Sequence, residues 1–147
     1  MVLGRLAFPR RAPHTAFRRR LHQVAFRERV LRAYAERCAL CRLRHQELLD
    51  AAHITPDGDA EGEPVVSNGV ALCKLHHAAF DRFFFAIRPD YVIEARPSVL
   101  AESDGPMLVV GLQQIHGQQM HLPRRTIDLP DRTRLERRSE QFRQAAG

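Results

Sequence analysis

The sequence predicts a small α+β protein whose centre consists of a strand, a long loop, a second strand and a helix. The run ELLDAAHITP has strand character, and the turn-rich stretch DGDAEGEPVVSNG separates it from the short strand VAL. Residues 71–81, ALCKLHHAAFD, have the composition of the first turns of a helix. The 147 residues, of which 44% are hydrophobic, are enough for one domain with a modest core.

A basic arm over residues 1–14 and a helix over residues 15–37 are predicted ahead of this centre. Apolar side chains recur at roughly helical spacing through the second stretch, and Thr15 is available as its N-cap. The arm is rich in Arg and poor in acids, which is also typical of an organellar transit peptide, and the sequence leaves that alternative open. It lacks the apolar segment of a secretory signal. The apolar positions are Phe17, Leu21, Val24, Val30 and Leu31.

The basic residues are concentrated at one end of the chain, whose formal net charge is +6. Residues 1–44 hold twelve Arg against only Glu28 and Glu36, whereas residues 45–63 hold six carboxylates and no Lys or Arg. This distribution favours binding to a polyanion such as nucleic acid. The alternative is a compositional bias for Arg on a solvated helix face. The residues predicted to contact nucleic acid are Arg10, Arg11, Arg18, Arg19 and Arg20.

The three cysteines predict a metal site, because an odd number cannot pair into a closed set of disulfides. Cys38 and Cys41 form a C-x2-C pair, and Cys73 and His76 form a C-x2-H pair about thirty residues later. Two such half-sites are typical of a tetrahedral structural zinc site, because each short knuckle directs two ligands at one point. The alternative is three buried small hydrophobic residues beside a core histidine.

His77 is left over if zinc takes the neighbouring His76. Successive residues of a helix point about 100° apart, so the two rings are expected to serve different roles. Two strands and a helix tied together by zinc would bring His53, Asn68 and His77 into one cleft. An imidazole is a suitable general base near neutral pH, an amide fixes a loop by hydrogen bonds, and a second imidazole can hold a divalent cation. This set suits phosphodiester hydrolysis.

The stretch CALCRLRHQELLDAAHITPDGDAEGEPVVSNGVALCKLHHAAFD resembles the HNH endonucleases, of the branch whose first motif reads AHI and whose last reads H-x3-F-D. The resemblance implies a ββα-metal (HNH) core over residues 38–95, with an N-terminal helix, an added β-hairpin and a C-terminal helix around it. It further implies that His53 activates the attacking water, that Asn68 tethers the loop, and that His77 binds Mg²⁺, Mn²⁺ or another divalent ion. That ion is distinct from the structural Zn²⁺.

The sequence departs from many HNH proteins at the position before the expected base. Ala52 stands where many of them have an Asp or His metal ligand. Asp81 lies four residues beyond His77 on the same helical face and is a candidate replacement. The alternatives for Asp81 are a surface carboxylate or an ion-pair partner of a nearby Arg. Asp50 is a weaker candidate, because three residues along a strand place it on the face opposite to His53.

The extension over residues 96–147 carries fewer signals. FFFAIRPDYVIEA, which lies immediately before this extension, predicts a hairpin that turns at Pro89 and Asp90 and extends the sheet. DRTRLERRSEQFRQ predicts a terminal helix that is capped by Asp131.

The function predicted from these features is a metal-dependent endonuclease that nicks or cuts double-stranded DNA. No apolar run approaches the roughly 20 residues of a membrane span, and the expected location is the cytoplasm of a bacterial or phage-type system. Two alternatives stay open: a non-catalytic zinc-stabilised module that binds nucleic acid, and an RNA-directed nuclease. The sequence does not decide whether the protein is a homodimer.

Overall fold

A computed structural model describes residues 13–56, 59 and 62–146, with only the backbone for residues 13–15. Arg10 and Arg11 lie outside the described residues. Helices and strands alternate in small units, which confirms the predicted α+β class. None of the described helices is both long enough and apolar enough to cross a membrane. The helices and strands are α1 (Pro13–Ala33), β1 (Leu49–His53), β2 (Gly69–Cys73), α2 (Lys74–Asp81), β3 (Phe85–Ile87), β4 (Ile93–Ala95), α3 (Pro97–Leu100) and α4 (Arg132–Ala146).

The strands β1 and β2 form an antiparallel pair that leads directly into α2. Leu49 lies opposite Cys73, and His53 lies opposite Gly69. The register therefore places His53 at one end of the ladder and the first residue of the C-x2-H pair at the other. Every residue of β2 is buried, as expected for a strand that is covered on both faces.

Helix α1 packs on this pair of strands at Gly69, the residue of β2 that has no side chain. A methyl group added at Gly69 would lie 2.5 Å from Val30 and 2.8 Å from Phe26, so only glycine allows α1 to approach this closely. Arg27 ties the helix to the start of β1 through its Nη2, which donates to the carbonyls of Gln46 (2.9 Å) and Leu49 (3.1 Å). The contact at Gly69, which lies opposite His53, and the bonds of Arg27 at the start of β1 together hold α1 along this strand.

Helix α1 ends at Ala33, four residues before the boundary expected from the sequence. Ala35 and Glu36 have φ values of 55° and 57°, in the left-handed region that terminates a helix. The C-x2-C pair that follows therefore lies in a tight turn rather than at a helix end, and the Cys38 amide donates to the carbonyl of Leu43 (2.8 Å).

The predicted hairpin forms, but the prediction that it extends the first sheet was wrong. Strands β3 and β4 pair only with each other among the described strands, in a second two-stranded sheet. The chain reverses after α2 at Phe83, whose φ is 58°, and the Phe84 amide bonds back to the carbonyl of Ala79 (2.9 Å). This reversal sends β3 along α2 and not alongside β1 or β2.

Helix α4 closes the core from the C-terminal side, and the predicted cap is confirmed. Asp131 Oδ1 accepts from the amides of Thr133 (2.9 Å) and Arg134 (3.3 Å), which satisfies two of the free donors in the first turn. Leu135 and Phe142 are buried on the inner face of the helix. This face contacts β3 and lies beside α2, so α4 reaches the same elements that carry the candidate site.

Candidate metal centre and active site

The two predicted half-sites meet in one cluster. The turn at residues 38–41 and the first turn of α2 place one ligand atom each from Cys38, Cys41, Cys73 and His76 within 4.8 Å of one another. Cys38 Sγ and Cys73 Sγ lie 3.5 and 3.3 Å from His76 Nδ1, and Cys41 Sγ lies 3.9 Å from Cys73 Sγ. The cluster is therefore assembled from residues more than thirty positions apart by the pairing of β1 with β2.

These spacings fit a tetrahedral zinc ion. Zn–S bonds of about 2.3 Å and Zn–N bonds of about 2.0 Å require ligand atoms about 3.5–3.8 Å apart. The His76 ring is oriented from its far side, because its Nε2 lies 2.7 Å from the carbonyl oxygen of Gly111. This contact places the ring proton on Nε2 and leaves Nδ1 to face the sulfurs, which is how metal-binding histidines are usually oriented.

The protonation of the cluster also favours a bound cation. Hydrogen bonds from Cys41 and then Cys73 lower the pKa of Cys38, whereas the bond to Cys38 raises the pKa of Cys41. Burial opposes protonation of His76, but its hydrogen bonds to Cys38 and Cys73 outweigh burial and raise its pKa to about 10. Negative charge is therefore favoured on the Cys38 sulfur, and a bound metal ion would replace the protons that the cluster shares.

His77, the next residue of α2, points away from this cluster into a groove. Its Nδ1 lies 2.8 Å from Asp50 Oδ2, and its Nε2 lies 3.2 Å from Asp81 Oδ2. The bond to Asp81, followed by the bond to Asp50, outweighs burial and raises the pKa of His77 to about 9. In turn, the bond to His77 lowers the pKa of Asp81. The ring is thus held between two carboxylates.

The expectation that Asp50 is badly placed was wrong. Side chains three apart on a strand leave opposite faces, but β1 has no further strand beyond it among the described residues. Asp50 and His53 therefore both reach the groove at this open edge, where they line one depression together with His77. Burial disfavours the ionised form of Asp50, yet its bonds to His77 and Lys74 keep its pKa below the ordinary value.

His53 lies at the centre of the groove. It lines two adjoining depressions, of about 390 and 350 Å³, and His77 is the other residue that lines both. The His53 ring stacks on Phe26 with centroids 4.3 Å apart and planes 19° apart. This stack is possible because Gly69, opposite His53 in the ladder, leaves room for α1. The base predicted from sequence thus shares a groove with the predicted metal ligand.

Asn68 is fully buried and holds the loop between β1 and β2. Its Oδ1 accepts from the Thr55 amide (2.8 Å), and its Nδ2 donates to the carbonyls of Thr55 (3.1 Å) and Glu63 (3.0 Å). The backbone adds a bond from the Ile54 amide to the Asn68 carbonyl (2.9 Å). Asn68 therefore fixes the chain immediately after His53, as a tether requires.

Arg138 of α4 also enters the groove, and sequence reasoning missed it. Its side chain is 6% exposed, lies over the rings of Phe80 (3.9 Å) and Phe83 (4.8 Å), and lines the depression that contains His53, His77 and Asp81. Nη2 donates to the Phe80 carbonyl (2.7 Å), and Nη1 lies 3.4 Å from the Ile54 carbonyl. No local pattern signals this residue, because the contact with Ile54 spans 84 positions.

The fold and the two sites define a class of protein: a ββα domain with a closed thiolate site and an open groove lined by imidazoles and carboxylates. Residues 38–88 match the family model described as HNH endonuclease, and this segment of the chain is therefore an HNH endonuclease domain. The segment contains the Cys3His cluster together with His53, Asn68, His77 and Asp81.

Comparison with solved structures gives the same fold over a larger part of the chain. The chain is similar to a modification-dependent TagI restriction endonuclease, with a TM-score of 0.53 and 19% sequence identity. The match covers 80% of this chain and 37% of that one, so the chain spans little more than a third of the length of its structural relative. The curated proteins include no match.

Proposed function

We propose that this chain is a metal-dependent endonuclease that hydrolyses phosphodiester bonds of double-stranded DNA, by a nick or a double-strand cut. The observation that carries the proposal is the groove of the HNH domain, in which His53 lies beside His77 and its two carboxylates. A general base and a metal-binding imidazole in one solvent-open groove are the groups that phosphate hydrolysis requires.

His53 is assigned the role of general base. It accepts a proton from water as the water oxygen attaches to phosphorus, and the bond from phosphorus to the leaving oxygen breaks. Stacking on Phe26 holds the plane of the imidazole ring, and the loop fixed by Asn68 holds the backbone that follows it. A ring restrained on both counts loses little freedom when substrate arrives.

His77 and Asp81 are assigned to the catalytic divalent ion. Mg²⁺ and Mn²⁺ favour oxygen ligands, and Asp81 is the more exposed of the two carboxylates, at 52% against 25% for Asp50. Asp50 bonds both Lys74 and the opposite nitrogen of His77, which suits a residue that orients the ring. A divalent ion bound there would neutralise charge that develops on the phosphate and the leaving oxygen.

Arg138 is assigned a positioning role. Its guanidinium bridges the carbonyl that follows His53 and the carbonyl that precedes Asp81, and so it fixes the spacing between the base and the metal ligand. Exposed Arg18, Arg19 and Arg20 on α1 are assigned to non-specific contacts with DNA phosphates, as are Arg10 and Arg11 of the N-terminal arm.

The proposal is tested by incubation of the zinc-loaded protein with supercoiled plasmid and added Mg²⁺ or Mn²⁺. The parent is expected to give nicked or linear plasmid, and His53→Ala is expected to lose on the order of 10²-fold or more in rate while its zinc content and DNA affinity remain. Structured RNA in a parallel reaction tests the RNA-directed alternative. Equal cleavage by parent and His53→Ala would remove the mechanism, and DNA binding without any cleavage would favour the non-catalytic module.

A further inference from the structure

A surface outside the catalytic groove carries a second concentration of arginines. It consists of two adjoining depressions between the C-terminal end of α1, the turn that follows it and the segment 121–125. The larger depression has a volume of about 650 Å³, and the two share Ala33, Ala35 and Arg124. We call it the arginine face. Its arginines are Arg29, Arg32, Arg37, Arg42, Arg124 and Arg125.

The positive charge of the arginine face is poorly compensated. Asp128 is the one carboxylate that lines it, and its Oδ2 lies 3.9 Å from Nε of Arg125, a residue whose side chain is 75% exposed. So long and exposed an ion pair contributes little. Within the part of the chain that the structure describes, no carboxylate forms an ion pair with Arg32, Arg42 or Arg124. Such a set of exposed guanidinium groups is stabilised when an anion binds.

The chemistry of the arginine face favours a phosphate backbone over unpaired bases. Guanidinium groups present planar donors that match phosphate oxygens, and the face contains no lysine. Unpaired bases would need aromatic platforms. Among the residues that the structure describes, no aromatic side chain lines the larger depression, and the smaller one has only buried Tyr34 and exposed His121.

The arginine face lies next to the catalytic groove along α1. Gln23, Phe26 and Arg27 line the groove, and Arg32 lies six residues beyond Phe26, or about 9 Å further along the helix axis. Duplex DNA carries one phosphate per about 1.7 Å of its axis when both strands are counted. A duplex that has its scissile phosphate at His53 and runs along α1 would bring further phosphates to the arginine face.

We infer that the arginine face binds the phosphate backbone of the substrate duplex beside the cleavage site, so that α1 and the C-terminal extension clamp one DNA molecule. This inference rests on the proposed function. It adds Arg124 and Arg125, which lie outside the family-matched segment and far from the N-terminal arginines in sequence. Because the contacts are to phosphates, they contribute affinity and register without base specificity.

The test compares Arg32→Gln/Arg124→Gln with Arg88→Gln/Arg143→Gln. Both double variants lower the net charge by two, but Arg88 and Arg143 lie away from the arginine face, on the hairpin turn and on α4. Binding to a short DNA duplex is measured against salt concentration without added divalent ion, and cleavage of saturating duplex is measured with Mg²⁺.

The Arg32/Arg124 variant is expected to bind about tenfold more weakly, and its slope of log affinity against log salt is expected to flatten by about 0.9 per lost phosphate contact. Its cleavage rate at saturating DNA is expected to stay within about twofold of the parent, because neither residue lines the catalytic groove. The Arg88/Arg143 control is expected to keep the parental slope. A salt slope that is unchanged in the Arg32/Arg124 variant, or reduced equally in both variants, overturns the inference. If the parent cleaves the duplex in the same experiment, the proposed function is unaffected by that result. A parent that neither binds nor cleaves the duplex overturns both.

Discussion

His76 and His77 are successive residues of α2, yet they face two sites of opposite character. His76 is 1% exposed and contacts sulfur atoms on one side and a carbonyl on the other. The His77 side chain is 27% exposed and contacts two carboxylates. Sulfur and imidazole ligands in a closed site favour a zinc ion whose four ligands all come from the protein. Accessible carboxylate ligands favour Mg²⁺ or Mn²⁺, which keep coordination positions open for water and substrate.

The difference shows how one short helix can present side chains to two separate sites of different ligand chemistry. The roughly 100° between successive side chains directs the two rings into separate environments, and the ligand type in each then selects the ion. The buried site is expected to control folding and the open site to control turnover. Four experiments test that division, from the largest expected effect to the smallest.

Cys73→Ser is expected to abolish the fold. The Cys73 sulfur lies in contact with His76 at the junction of β2 and α2, and structural zinc contributes about 10–16 kcal/mol of apparent binding free energy in small domains. Elemental analysis and circular dichroism should show a zinc-free, largely unfolded product. Ala78→Ser, at an exposed position of the same helix, should retain zinc. Absence of zinc from the parent would refute the assignment.

His77→Ala is expected to retain the fold and the zinc while cleavage falls by on the order of 10²-fold or more. Among the described residues His77 has its polar contacts with Asp50 and Asp81 in the groove, so its loss is expected to leave the cluster of three cysteines and His76 unchanged. Zinc stoichiometry, thermal unfolding and plasmid cleavage measured on one preparation separate the two effects. Loss of zinc together with activity would show that the neighbouring sites are not independent.

Asp81→Asn and Asp50→Asn are expected to differ from each other. If Asp81 is the ligand, its amide variant should raise the metal concentration for half-maximal cleavage by on the order of tenfold, with Mn²⁺ rescuing better than Mg²⁺. Asp50→Asn should lower the maximal rate with a smaller change in metal dependence, because its contact with His77 orients the ring. The reverse pattern would exchange the two roles. Zinc content serves as the control in both variants.

Arg138→Lys and Arg138→Met are expected to give the smallest effect, a several-fold loss of kcat with little change in KM for DNA. Lys retains the charge but not the fork that bridges two carbonyls, and Met retains much of the volume but neither charge nor donors. The Met variant should therefore be slower, and the lost charged hydrogen bonds should destabilise it by about 1–3 kcal/mol. Parental kcat in a folded Met variant would limit Arg138 to a packing role.

The sequence was sufficient for the parts of the molecule that short patterns encode. The order of β1, β2 and α2 follows from turn residues and apolar runs, and the Cys3His cluster follows from two half-sites whose internal spacing is two. The cap of α4 is likewise local, since the amides that Asp131 binds lie two and three positions later in the chain. In each case the deciding interaction spans few residues or follows from a fixed ligand geometry.

What the sequence could not supply depends on tertiary arrangement. Alternation along β1 placed Asp50 on the wrong side, because that rule ignores the open edge of a two-stranded sheet. The second sheet arises from the backbone reversal at Phe83. This reversal is not predictable from the sequence, because a phenylalanine and not a glycine adopts the positive φ. Arg138 contacts Ile54, which lies 84 positions earlier in the chain. Nothing in the local sequence distinguishes Arg138 from the other arginines of α4.

The bridge made by Arg138 has a consequence for how such a domain can be inherited. The segment that matches the family model ends at residue 88, yet Phe26 before it stacks on His53, and Arg138 after it bonds the carbonyl of Phe80, the residue before Asp81. Residues 38–88 therefore do not contain all the side chains that hold the candidate site in place. A recombination event that moved residues 38–88 alone into a new protein would transfer the ligands and the base without the two helices that hold them in register. The unit expected to carry the proposed activity is therefore the segment together with both flanking helices.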